Sequence, residues 1–152
     1  MPSRRILAVA AVLLVAFPAG RADDRKDEKP LDPDLKKLQG KWEITYHETA
    51  GVEDTKEHKW TIEIQGDKYT LTIGEQKLIG RLRLDSTKTP KQVEYATDDD
   101  DGAVQEYVGI YELDGDTYKT CDVAKGKKLP TEFKTNDPTG QVAVWKRVKV
   151  RD

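Results

Sequence analysis

The sequence predicts an all-β fold: an eight-stranded antiparallel up-and-down barrel preceded by one short helical turn. Three observations carry this reading. From Trp42 onward, apolar residues recur at every second position in eight successive runs, the period of half-buried strands. Gly-Asp or Asp-Gly pairs stand between several of the runs, as tight hairpins require. No helical pattern of ten residues follows Gly40. Meandering strands of this kind close into a barrel because closure pairs the edges that an open sheet leaves exposed. A β-sandwich of the same strands is the structural alternative.

The elements follow in order. Residues 1–22 read as a secretory signal peptide: Arg4 and Arg5 form a positive start, "ILAVAAVLLVAF" (6–17) is apolar, and Gly20 and Ala22 mark a cleavage site. The apolar run is too short to span a bilayer as a helix. Residues 23–34, "DDRKDEKPLDPD", form a flexible charged lead-in. The domain proper spans 35–150. It opens on "DPDLKKLQG", where Asp32 or Asp34 caps a helical turn, Leu35 and Leu38 share an edge, and Gly40 ends it. The strands are expected at 42–47, 60–65, 69–73, 78–84, 93–95, 105–113, 117–123 and 141–149.

Charge narrows the function. After cleavage, 23 basic residues stand against 28 acidic ones, a net charge of −5. They are interleaved, so the chain offers no basic face for nucleic acid and no patch for anionic lipid. Such a balance suits a soluble exported protein, periplasmic or extracellular, expected to be a monomer without stable membrane insertion. The lone Cys121 has no internal disulfide partner and reads as a small buried hydrophobe.

Candidate chemistry is sparse. In "YVGIYELDGDTYKTC" (107–121), Asp114-Gly115 reads as a type I′ hairpin turn rather than a metal loop. "TDDDDG" (97–102) fails as an EF-hand: with Gly102 at position 6, Thr97 falls at position 1 and Val108 at position 12, where a carboxylate belongs. Asp98–Asp101 therefore read as a solvated hairpin tip. His47 is out of phase with Trp42, Ile44 and Tyr46, whereas His58 is in phase with Trp60, which puts the two on opposite faces. No metal and no cofactor is expected. Ser86 lies in no nucleophile elbow, and Cys121 has no base fixed beside it by spacing, so no catalytic residue is assigned. What remains is aromatic. Tyr46, Tyr69, Tyr95 and Tyr111 fall in phase with apolar neighbours, as the wall of a ligand cavity or as a filled core.

"LQGKW" (38–42), with Gly40 and Trp42 at the start of the first strand, resembles the opening signature of lipocalins. The resemblance implies that Trp42 plugs one barrel end and that an Arg of the last strand, here Arg147 in "VWKRV", packs across it. "LQGKWEI", "LDSTKTPKQVEY", "GIYELDGDTYKTC" and "KGKKLPTEF" are together similar to an uncharacterised exported lipocalin-like family abundant in planctomycete bacteria, over about residues 35–148. Leu129 departs from that pattern, standing where the family carries Arg before Pro-Thr-Glu-Phe. The resemblance implies a fold and a compartment but no activity. The expected function is non-enzymatic binding of a small, mostly apolar ligand along Tyr46, Tyr69, Tyr95 and Tyr111. The alternative is a protein-interaction or inhibitor module that uses the 49–58, 98–102 and 124–140 loops on an exported partner.

Overall fold

The computed structural model describes residues 29–57, 59–98 and 101–151. The signal-peptide segment, the first half of the lead-in (23–28), His58 and residues 99–100 of the acidic run lie outside the described residues. Helix α1 (Pro33–Lys37) leads into strands β1 (Gly40–Thr49) and β2 (Val52–Glu53) and a 3₁₀ turn (Thr55–Glu57). Then come β3 (Trp60–Gln65), β4 (Lys68–Ile73), β5 (Gln76–Asp85), β6 (Gln92–Asp98), β7 (Val104–Asp114), β8 (Thr117–Ala124) and β9 (Gln141–Arg147). All pairings are antiparallel, and each strand from β3 to β9 pairs with the next. Strand β1 pairs with both β3 and β9 and so closes an eight-stranded barrel. The ninth strand, β2, is a two-residue tab hydrogen-bonded to the outer end of β1.

Three of the two-residue hairpin turns share a pattern, unlike the β1–β2 turn, where Ala50 and Gly51 both have positive φ. Gly66, Gly74 and Gly115 each stand first in a two-residue loop, with φ of +65°, +60° and +54°. Asp114 pairs with Thr117, so the central residues of the last loop are Gly115 and Asp116. Positive φ is confined to the first of them, the II′ pattern rather than the expected I′.

Alternation sends one face of each strand into the barrel. Trp42, Ile62, Ile64, Tyr69, Leu82, Leu84, Val93, Tyr111, Tyr118 and Trp145 pack there with Leu35 and Leu38 of the helical segment. One device breaks the alternation. Ile44 pairs with Trp145 and Tyr46 with Val144, so Thr45 is an extra residue in a β-bulge. The bulge lies where β1 stops pairing with β3, after Glu43, and before it takes up β2 at Glu48. It exchanges the faces of the residues beyond it. Tyr46 turns outward to pack with Ile110, Cys121, Val142 and Phe133. His47 becomes buried, with its ring centroid 4.5 Å from that of Trp60.

The helix end of the barrel is closed by named bonds. Trp42 Nε1 donates to the Leu38 carbonyl at 2.9 Å. The Arg147 guanidinium lies 4.3 Å from the Trp42 ring and donates to the carbonyls of Gln39 (2.7 Å) and Lys37 (2.6 Å). Its Nε donates to Asp116 at 3.0 Å, so the acidic hairpin tip is part of the closure. Asp32 accepts from the backbone N–H of Asp34 as the helix cap and from both the N–H and the hydroxyl of Ser86. Buried Asp34 accepts from Lys91 (2.6 Å) and Tyr111 (3.0 Å). These bonds hold its carboxyl below the usual range against the opposing effect of burial, which is the largest single influence.

Candidate functional site

The two ends of the barrel interior differ. Near α1, Leu38, Trp42, Ile64, Tyr111 and Tyr118 are at most 1% exposed, with Ile44 and Leu113 partly buried beside them. Toward the other end, the inward residues Trp60, Leu71, Tyr95, Thr97 and Tyr107 are only partly buried. The barrel is thus plugged at the helix end and less tightly sealed toward the opposite end, which we call the cup.

A polar group sits in the wall of this cup. Asp122 on β8 is 8% exposed and lies in register between Gly109 of β7 and Gln141 of β9. A Cβ at Gly109 would come within 2.7 Å of the Asp122 Cα and 2.3 Å of the Cys121 carbonyl oxygen, so only glycine permits this approach of β7 to β8. Burial pushes the Asp122 carboxyl up to about 7, against a hydrogen bond from Thr120 that favours the ionised form. No Lys or Arg pairs with it among the described residues.

Four phenols of the interior lie close enough to feel the charge of this carboxyl. Tyr69, Tyr95, Tyr107 and Tyr118 are all shifted upward, first by burial and additionally by the negative charge of Asp122. The Tyr95 and Tyr118 hydroxyls are 2.7 Å apart, and Tyr69 meets Tyr95 edge-on at 6.0 Å between centroids. The Tyr69 hydroxyl bonds to that of Thr97. Its ring covers Gly80, where a Cβ would lie 2.6 Å from it. Across Gln141 is a second polar group: His47 Nδ1 lies 2.5 Å from Asp54 and Nε2 lies 3.3 Å from the Gln141 side-chain oxygen. The Gln141 oxygen occupies the position that a nucleophile would take in an Asp-His relay.

The four tyrosines picked out in the sequence therefore part company. Tyr69 and Tyr95 line the cup. Tyr111 is sealed at the helix end, bonded to Asp34. Tyr46 is on the outer face because of the Thr45 bulge, and its hydroxyl donates to Glu48 at 2.6 Å. The pattern also hid three contributors. Tyr107, Tyr118 and Asp122 share the inward phase of β7 and β8, so counting by two from Tyr111 and Tyr118 finds them. His47 is beyond such counting because the bulge is set by pairing with β9. Cys121 faces outward, fully buried, with its Sγ 3.7 Å from the Lys134 carbonyl oxygen. Burial, then the charges of Asp122 and Glu48, push its thiol up to about 11, so little thiolate exists at neutral pH. Among the described residues, no three His, Cys, Asp or Glu side chains group to hold a metal, and no helix is long and apolar enough to cross a membrane.

No family model matches the chain, and comparison with curated proteins finds no match.

Proposed function

We propose that this protein is an exported, non-catalytic carrier or sensor of a small, mostly apolar molecule held in the open half of the barrel. One observation carries the reading: the inward side chains Trp60, Leu71, Tyr95 and Tyr107 away from α1 are only partly buried, whereas Leu38, Trp42 and Tyr111 near it are sealed. A cup walled by Leu71, Tyr69, Tyr95, Tyr107 and Trp60 has apolar faces with few polar tips, the usual composition of a small-ligand site. The signal-peptide pattern of residues 1–22 supports export, and the likeness to an exported lipocalin-like family supports both the compartment and the use of the barrel interior. The quiet Cys121 thiol and the Gln141 side chain beside His47 weigh against catalysis.

Native mass spectrometry tests the proposal. Protein purified from an exporting host is incubated with lipids and small aromatics. A retained or saturable added mass is expected. A bare protein mass with every compound would defeat the carrier reading and favour the interaction module. That second reading has one observation of its own: Phe133 of the 125–140 connection borders an outer groove of about 460 Å³ that also includes Ser86–Lys91 and Tyr111–Asp114.

A further inference from the structure

We infer that the molecule held in the cup is a small amphiphilic amine, whose protonated nitrogen is received by Asp122 while its apolar body lies against the tyrosines. The inference rests on the carrier reading and narrows its ligand class.

Among the described residues, Asp122 lacks a cationic partner. Buried carboxylates in folded proteins are ordinarily paired with a cation or held by several donors, because an isolated buried charge is costly. Asp34 in this same barrel obeys that rule, with Lys91, Lys37 and Tyr111 around it. Asp122 does not. It is 8% exposed, and among the described residues Thr120 is the one donor acting on it. The groups that face it are neutral at pH 7: Tyr69 from β4, Tyr95 from β6, Tyr107 from β7 and Tyr118 from β8. On the far side of the sheet Cys121 is also protonated. His47 of β1 lies beyond Gln141, and Asp98 is at the rim near Tyr69. Among the described residues the interior thus presents Asp122 as an unmatched acid and supplies no cation for it.

The position is sterically prepared. Gly109 leaves room for Asp122 at the β7–β8 step, and Gly80 leaves room for Tyr69 across the cup. Phenol rings around a carboxylate make a receptor for an organic cation: the rings offer their electron-rich faces and the carboxylate takes the charge-assisted hydrogen bond. An anionic ligand would meet like charge in a desolvated site, and a neutral one would leave the carboxylate unmatched.

Three probes of one shape separate the possibilities: 2-phenylethylamine, 2-phenylethanol and 3-phenylpropionate, titrated calorimetrically into the purified protein at pH 6 and pH 8. The amine is expected to bind at least ten-fold tighter than the alcohol at pH 8, and the carboxylate weakest. The amine preference should shrink at pH 6, where Asp122 takes up its proton. Asp122→Asn should erase the preference while leaving alcohol binding within about two-fold, and Asp122→Ser provides a second variant should Asn perturb folding. Equal binding of amine and alcohol by the native protein would overturn the inference and leave the carrier reading standing, as would an amine preference that survives both substitutions. Failure of all three probes, together with the wider panel of neutral aromatics, would overturn both.

Discussion

Asp122 should make this protein less stable as the pH rises from mildly acid to mildly alkaline. Its carboxyl titrates near 3.8 in an unfolded chain and at about 7 in the folded barrel, where burial favours the neutral form. Below about pH 4 it is protonated in both states and has no effect on stability. Between about pH 4 and 7 the unfolded chain releases the proton and the folded chain keeps it, so each step upward in pH favours unfolding. The full displacement corresponds to roughly 4 kcal/mol, of which about 2–3 kcal/mol falls between pH 5 and pH 8. Asp32 and Asp34 have lowered pKa values, so the stability they contribute is lost only at more acid pH, outside this window. Urea titrations of the native protein and of Asp122→Asn at pH 5 and pH 8 provide the assay, and their difference cancels every other titrating group. The variant should gain about 2–3 kcal/mol on the native protein between the two pH values. A native-to-variant difference that is the same at pH 5 and pH 8 would refute the reasoning, because Asp122 would then be ionised in the folded state throughout.

Two further outcomes follow from the closure and from the thiol. Arg147→Ala removes two bonds to the carbonyls of Lys37 and Gln39, the Asp116 pair and the stacking on Trp42, and should cost roughly 2–4 kcal/mol in denaturant titration; a cost below about 0.5 kcal/mol would mean that the plug holds without it. Cys121 should react with a disulfide reagent at pH 8 only as fast as the protein unfolds, whereas immediate labelling of the native protein would contradict the sealed outer cluster of Cys121, Ile110 and Val142.

Much of the architecture was legible because strands and hairpins write themselves locally. A period of two between Trp60 and Ile64, broken at Gly66 and resumed at Tyr69, identifies β3, the turn and β4 without reference to the rest of the chain. The same count, carried through 117–123, would have placed Asp122 inside the barrel beside Tyr118 and Thr120. What that count could not deliver is the face of the β1 residues beyond Ile44. Local alternation predicts Tyr46 inward and His47 outward, and the structure has the reverse, because the extra residue at Thr45 is defined only against Trp145 and Val144 of β9.

By itself, then, the sequence determined the eight barrel strands and the places of the tight hairpins, since these depend on neighbours a few positions apart. The tertiary structure decided the rest. Closure pairs Trp42 with Arg147 at opposite ends of the domain. That pairing makes Arg147 a cap for α1, and the pairing of β8 with β7 and β9 sets Asp122 between Gly109 and Gln141. Such outcomes depend on which distant strand lies alongside, and register between distant strands is a property of the closed barrel rather than of any segment within it.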